Sequence, residues 1–143
     1  MNDTATTGVP PKRWVVSATA APRQPMALFC AGRPLTPTGP GAADNVSPVE
    51  YLLLSIAGCF ALSCCGALKS RKAPPTSVEV TVTGDKAVDA PSRVGRIALA
   101  VVFDGVASPQ EVAAIAQEAK HLCTVTNTIF GAPTVEVTAA ARR

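Results

Sequence analysis

The sequence predicts an α+β domain with a mainly antiparallel sheet and one long hydrophobic helix. Two observations carry this prediction. Residues 47–50 (SPVE) and 108–111 (SPQE) repeat one helix-start pattern, and short segments around them alternate between apolar and polar residues. The length of 143 residues suits one domain with one core. We therefore expect residues 1–11 to form a mobile tail and residues 12–143 to form a single domain.

Composition and charge argue against several classes of protein. The 13 basic and 10 acidic residues give a net charge of +3 that is spread along the chain, which does not favour nucleic-acid binding. The first residues are polar and contain no apolar secretion signal, so we expect a cytoplasmic protein. Five cysteines without the spacing of a disulfide scaffold then indicate free or catalytic thiols.

The N-terminal third is predicted to form a hairpin followed by a loop. Residues 13–20 (RWVVSATA) alternate well enough to form a first strand, and residues 25–32 supply its partner. Residues 34–45 (PLTPTGPGAADN) are rich in proline and glycine, which is typical of a loop.

The first helix is predicted over residues 48–70, with Ser, Pro and Glu in the N-cap, N1 and N3 positions. Residues 51–68 carry no charge, which is close to the length of a membrane span. Small and polar residues inside this run, and amphipathic strands on both sides of it, favour a buried core helix instead. A short chain cannot cover such a helix alone, and Ser55, Gly58 and Gly66 would admit a second helix. We therefore expect a homodimer.

The remaining elements are predicted in the order strand, strand, helix, strand. Residues 77–83 and 93–103 alternate, a helix runs from residue 109 to the low 120s, and residues 134–138 (TVEVT) form a last strand. The second helix has one apolar face, made by Val112, Ile115, Ala116, Ala119, Leu122 and Cys123.

Two cysteines, Cys59 and Cys123, lie on helix faces that the core would bury. A buried cysteine can be a small packing residue. A pair of thiols can also reduce peroxides: one thiolate attacks the O–O bond and becomes a sulfenic acid, and the other condenses with it to a disulfide. The attacking thiol must be ionised, which a nearby cation favours, and Arg23 is a candidate.

The other three cysteines show no comparable pattern. Cys64 and Cys65 are turned about 120° to 140° away from Cys59 on the helix, so we expect them to be packing residues. Cys30 has no partner at a suggestive spacing. A zinc site is not expected either, because the chain has one histidine and no Cys-x-x-Cys motif.

Three segments resemble the OsmC/Ohr family of thiol peroxidases over most of the chain after residue 12. Residues 47–62 (SPVEYLLLSIAGCFAL) resemble the family's central helix with its reactive cysteine. Residues 119–129 (AKHLCTVTNTI) resemble its second-cysteine segment, and residues 17–24 (SATAAPRQ) are similar to its first hairpin, whose arginine reaches the partner subunit's site.

The resemblance implies a fold, a reaction and roles for the residues. The fold would be an intertwined, OsmC-like homodimer in which Cys59 is the peroxidatic thiol, Cys123 resolves it and Arg23 keeps Cys59 ionised. Organic hydroperoxides would be the substrates and an external dithiol, typically a lipoylated protein, the reductant, with no metal or flavin cofactor. The alternative is a non-enzymatic protein of the same fold that binds a small hydrophobic ligand or senses oxidants.

The chain departs from the family pattern at one position. A glutamate that pairs with the arginine directly follows the proline in the family's well-characterised peroxidases, whereas this chain has Val49 there and its carboxylate at Glu50, which is similar to the Pro-Val-Glu subgroup. Glu50 would lie about 13 Å along the helix from Cys59 and on its opposite side. It is therefore either a site carboxylate or only a helix cap, and Arg33 is an alternative cation to Arg23.

Overall fold

The chain divides into two units at the start of its longest helix. One unit comprises Met1–Ser47 and the other Pro48–Arg143. The computed structural model describes residues 13, 15–19, 21, 23–39, 41–42, 45–71, 77–105, 108–132 and 135–137. The predicted tail of residues 1–11 lies outside this set, and the prediction of one domain over residues 12–143 stays a prediction.

The N-terminal unit contains a three-stranded antiparallel sheet in the order β1-β2-β3. Its strands are Val16–Thr19 (β1), Met26–Cys30 (β2) and Arg33–Thr38 (β3), so the predicted hairpin is confirmed. The turn between β2 and β3 has positive φ at both Ala31 and Gly32. Such two-residue turns match the twist of the strands that they join.

The loop predicted for residues 34–45 is wrong over its first five residues, which belong to β3. Pro34 and Pro37 suggested a loop because proline cannot donate to a ladder. However, β3 lies at the edge of its sheet, where a missing N–H on the open side is tolerated. The strand ends at Thr38, whose buried hydroxyl donates to the carbonyl of Val46.

The described residues of the C-terminal unit form three helices and a two-stranded antiparallel sheet. Its elements are Pro48–Ser70 (α1), Val78–Lys86 (β4), Val94–Phe103 (β5), Pro109–Leu122 (α2) and Thr124–Phe130 (α3). The predictions of helices over residues 48–70 and from residue 109 are confirmed. Ser108 caps α2 as its pattern predicts, with Oγ accepting from the amide of Glu111 at 3.2 Å. The predicted α+β class is also confirmed.

The core of this unit forms where α1 packs against α2, α3 and β4. One cluster of buried residues contains Phe60, Cys64, Ala119 and Cys123, and a second contains Ala67, Leu68 and Ile115. The alternating strands cover them with partly buried side chains, namely Val78, Val80, Leu99, Val101 and Phe103. Although α1 is long and apolar enough to cross a membrane, these contacts make it the core helix of the unit.

Near the C-terminus, the structure contains one helix that the sequence analysis did not predict, and one predicted strand is wrong over its described residues. Residues 124–130 form α3, although their β-branched side chains favour a strand. The predicted strand of residues 134–138 is wrong at 135–137, where the described backbone is not in a strand, while its two end residues lie outside the described set. Alternation gives a segment an apolar face, but a strand also needs a partner, and residues 135–137 pair with none in the described part of the chain.

Candidate functional site

The structure brings together the two cysteines that the sequence singles out. Cys59 lies in the middle of α1 and is partly exposed, whereas Cys123 lies between α2 and α3 and is fully buried. Cys59 packs against the core cluster that contains Cys123, and hydrogen bonding by its thiol is one of the causes that lower the pKa of Cys123. Two thiols, one accessible and one protected, therefore meet at the edge of the core.

Two helix ends fix the backbone of Cys123. Its amide donates to the carbonyl of Ala119 at 2.9 Å, which closes α2, and its carbonyl accepts from the amide of Asn127 at 3.0 Å, which opens α3. The same carbonyl accepts from the hydroxyl of Thr126 at 3.2 Å. The two helices therefore fix the backbone position from which the Cys123 side chain extends.

The surroundings of Cys123 favour its thiolate. Burial alone would raise the pKa of this thiol, but the hydroxyl and amide of Thr126, the Cys59 thiol and the amide of Val125 together hold the pKa below its usual range. The neutral thiol makes no aligned cap hydrogen bond with α3. These donors therefore act mainly on the charged form of Cys123, which is the reactive form of a thiol.

Cys64 belongs to the same cluster but has a different environment. It is fully buried, as expected for a packing residue, and burial, followed by the charges of Cys65 and Cys123, raises the pKa of its thiol to about 11. The helical wheel turned Cys64 away from Cys59, yet both pack at the cluster around Cys123. Cys65 and Cys30 are exposed.

The predicted cations and carboxylate lie elsewhere in the chain. Arg23, with a positive φ of 61°, occupies the turn between β1 and β2, and Arg33 begins β3; both are exposed residues of the N-terminal unit. Glu50 is an exposed residue in the first turn of α1, nine residues before Cys59 on an unbroken helix. The roles of Arg23, Arg33 and Glu50 at a redox site stay predictions.

A cavity of about 270 Å³ opens beside the thiol pair. It lies between α1, β5 and α3, and its lining consists of Ile56, Val94, Gly95, Arg96, Ile97, Leu99, Thr126, Ile129 and Phe130. Ile56 is one helical turn before Cys59, and Thr126 is the residue whose hydroxyl and amide face Cys123. The lining is predominantly apolar, which suits the hydrocarbon part of a small molecule.

Sequence reasoning missed Thr126 and its helix. The threonine side chains of α3 hydrogen-bond within the helix, as Thr128 Oγ1 donates to the carbonyl of Thr124 at 2.8 Å. Asn127 Nδ2 donates back to the carbonyl of His121 at 2.9 Å. The sequence signal for α3 was the Thr126 hydroxyl, three residues after Cys123. This is the spacing between a helix-capping residue and its hydrogen-bond partner in the first turn. Within the described ranges, no three His, Cys, Asp or Glu side chains are grouped to hold a metal ion.

Comparisons with known proteins agree with this architecture. The family model described as OsmC-like protein matches residues 41–138, which is more than half of the chain. An OsmC-like protein from Mycoplasma pneumoniae is similar in structure, with a TM-score of 0.73, 17% identity and coverage of 84% of this chain and 89% of that one. The organic hydroperoxide resistance protein OhrB of Bacillus subtilis has a TM-score of 0.63 and 16% identity over 84% of this chain and 92% of its own.

A third solved structure gives the same picture. An organic hydroperoxide resistance protein OsmC from Legionella pneumophila has a TM-score of 0.63 and 16% identity, with coverage of 84% of this chain and 90% of that one. At these identities the structural likeness establishes the fold alone. No curated protein sequence matches the chain.

Proposed function

The chain belongs to the family of OsmC-like proteins, and from this membership we propose that it reduces organic hydroperoxides with the thiols of Cys59 and Cys123. The packing of Cys59 against the cluster that contains Cys123, next to an apolar cavity, is the observation that carries the proposal. The names of OhrB and of the Legionella protein point to the same substrate class.

In the first step, the Cys59 thiolate attacks the terminal oxygen of the hydroperoxide. The O–O bond breaks, the alkoxide takes a proton and leaves as an alcohol, and Cys59 becomes a sulfenic acid. Cys59 suits this role because it is the accessible member of the pair. The apolar cavity would hold the alkyl group of the substrate, which favours organic hydroperoxides over hydrogen peroxide.

In the second step, the Cys123 thiolate attacks the sulfur of the sulfenic acid. The S–S bond forms, hydroxide leaves and becomes water, and the pair ends as a disulfide. The lowered pKa of Cys123 supports this role, since a larger fraction of the resolving thiol is ionised at neutral pH. An external dithiol, such as a lipoylated protein, would then reduce the disulfide, so the proposal includes no bound cofactor.

The proposal leaves the cation beside Cys59 to one of two arginines. Arg23 and Arg33 are both exposed residues of the N-terminal unit, and either guanidinium would favour the Cys59 thiolate if a subunit delivered it to the site. With Val49 after the proline, Glu50 is the remaining candidate to orient that arginine. Replacing each arginine with alanine and measuring the rate of Cys59 alkylation at neutral pH distinguishes them.

A homodimer is part of the proposal. Leu54 and Leu62 are 59% and 75% exposed on α1, and a Cβ on Gly58, between them, would meet nothing within 4 Å. Burying this stripe against a second copy would remove apolar surface from water and bring the helices of two subunits together. Sedimentation at micromolar concentration in a detergent-free buffer should give twice the chain mass. A stable monomer would contradict the dimer.

The decisive experiment measures the consumption of cumene hydroperoxide by the reduced protein with excess dithiol. We expect Cys59→Ser to abolish consumption and Cys65→Ser, an exposed thiol on the same helix, to retain it. An active Cys59→Ser protein would overturn the assignment of Cys59. If the wild-type protein is inactive, the apolar cavity favours the second candidate function, which is non-enzymatic binding of a small hydrophobic ligand or the sensing of oxidants.

A further inference from the structure

A third thiol lies next to the redox pair, and the reaction described above does not use it. Cys64 and Cys123 are both fully buried members of one core cluster, and Cys59 packs against the same cluster. Five residues separate Cys59 from Cys64 on α1, which corresponds to about 7.5 Å along the helix axis. Of the two α1 thiols near Cys123, Cys59 is therefore the partly exposed one and Cys64 is the buried one.

Small residues lie where α1 packs against the end of α2. Ala67 and Ala119 are fully buried, and a Cβ on Gly66 would lie 3.9 Å from the side-chain atom Cδ1 of Leu122. A disulfide between two helices requires Cα atoms about 4.4–6.8 Å apart, and small side chains at a helix contact favour such an approach. The packing next to Cys64 is thus compatible with a bond to Cys123.

We propose that Cys64 is a second disulfide partner of Cys123. In this step, which rests on the proposed function, the Cys64 sulfur attacks Cys123 Sγ of the Cys59–Cys123 disulfide. The Cys64–Cys123 bond forms as the Cys59–Cys123 bond breaks, and Cys59 leaves as a thiolate that takes up the proton lost by Cys64. The number of disulfides does not change, and no further oxidant or reductant is needed.

The exchange returns Cys59 to its reduced state before any reductant has acted. A second molecule of hydroperoxide can then oxidise Cys59 to a sulfenic acid and leave as an alcohol. One subunit would thus store two oxidation events, one as a buried disulfide and one as a sulfenic acid. A two-thiol enzyme stores only one.

The ionisation of Cys64 sets the rate of this exchange. The titratable groups around its thiol are Cys65 on α1 and Cys123 at the helix junction, with Cys59 at the edge of the cluster, while β4 and β5 contribute apolar side chains. Because burial raises the pKa of the Cys64 thiol and only the thiolate attacks, the exchange rate should rise as the pH rises above neutral. Exchange is therefore slow at neutral pH.

The test separates exchange from peroxidase activity. The Cys59–Cys123 disulfide is formed at pH 7 with one equivalent of cumene hydroperoxide, excess oxidant is removed, and samples are shifted to pH 8, 9 and 10 and quenched with acid. Disulfides are mapped by peptide mass spectrometry after chymotryptic cleavage at Phe60 and Leu62, which lie between Cys59 and Cys64. If hydroperoxide forms no disulfide, the proposed function fails, and diamide supplies the starting disulfide so that the exchange is still measured.

We expect the Cys64–Cys123 linkage to accumulate faster at each higher pH, with one dimedone-reactive Cys59 after a second equivalent of hydroperoxide. Cys65→Ser is the matched control and should exchange at the wild-type rate, whereas Cys64→Ala should keep the first disulfide. A Cys59–Cys123 disulfide that persists at pH 10, or a linkage to Cys65, would overturn the proposal. If Cys64→Ala does not fold, the wild-type pH series decides alone.

Discussion

Cys123, at the junction of two helices, and Cys64, within α1, lie in one core cluster, yet their pKa values are shifted in opposite directions. Both side chains are fully buried. Burial raises the pKa of Cys64, whereas at Cys123 the donors of Thr126, Cys59 and Val125 outweigh burial and lower it. The amides around Cys64 are already used by the hydrogen bonds of α1. At a helix start the first amides have no partner within the helix and can face a thiolate.

The comparison teaches that exclusion from water does not decide the chemistry of a buried cysteine. The supply of hydrogen-bond donors decides it, and that supply depends on whether the residue lies within a helix or between two helices. A site with two kinds of buried thiol can therefore ionise one thiol and keep the other neutral within a single hydrophobic cluster.

The largest expected difference between the two thiols is in turnover. With saturating dithiol and cumene hydroperoxide, Cys123→Ser should lose at least about tenfold in rate, because the Cys59 sulfenic acid must then wait for an external thiol. Cys64→Ser should stay within about twofold, because exchange is slow at neutral pH. Equal losses in the two variants would remove the functional distinction between the junction and the middle of α1.

The next largest difference is in the pH dependence of stability. The pKa of Cys64 is raised from 9.0 to about 11, so the unfolded chain releases this proton first as the pH rises. The free energy of unfolding should therefore fall between pH 9 and 11, by at most on the order of 1 kcal/mol per pH unit from this group. Urea denaturation of Cys64→Ala should show a shallower fall, and curves parallel to wild type would argue against a neutral buried thiol.

A smaller effect is expected from removing one hydrogen-bond donor near Cys123. Thr126→Val removes a hydroxyl that lowers the pKa of Cys123 and donates to its carbonyl, so the pKa should rise and disulfide formation at pH 7 should slow. The variant should also lose about 1 kcal/mol of stability. Thr128→Val is the control, because its hydroxyl bonds to Thr124 on the exposed side of α3. If both variants slow the reaction equally, the effect comes from α3 as a whole.

The smallest effect is expected at an exposed carboxylate, where a hydrogen-bond donor also lowers a pKa. A hydrogen bond from Ser70, together with Arg71 at 3.0 Å, holds the pKa of Glu118 below its usual range despite some desolvation. Ser70→Ala should raise this pKa, as measured by carbon-detected NMR titration. The stability that Glu118 contributes above its ordinary pKa should then disappear at a higher pH on acidification. Ser55→Ala, whose hydroxyl bonds only to the carbonyl of Leu52, should leave Glu118 unchanged.

The two long helices follow from the sequence because their signals are local, whereas the pairing of Cys59 with Cys123 as redox partners stays a prediction. Capping residues mark where α1 and α2 begin, and the apolar periodicity turns Cys123 toward the core. The structure places the partly exposed Cys59 against the cluster that contains the buried Cys123. For the same reason, the alternating segments at residues 77–83 and 93–103 form strands, β4 and β5, as predicted.

Other features depend on contacts that no local pattern contains. The helical wheel gives the direction of Cys64 from the axis of α1 but not the residues that pack around it, so its place in one buried cluster with Cys123 emerges only in three dimensions. The threonines of α3 favour a strand until their hydroxyls and Asn127 supply hydrogen bonds that hold a helix. Pro34 and Pro37 indicate a loop until an edge position removes the penalty.

Because backbone hydrogen bonds hold Cys123 on both sides, the number of residues between α2 and α3 affects the chemistry of the site. Ala119 and Asn127 hold this one residue between two helix ends, with no slack in which to absorb an extra residue. One residue inserted into α2 would turn Cys123 by about 100° about the helix axis and carry its sulfur away from α1. Length variation and loop grafting should therefore be confined to other connections of the chain, because between residues 119 and 127 the spacing is as much a part of the site as the sulfur itself.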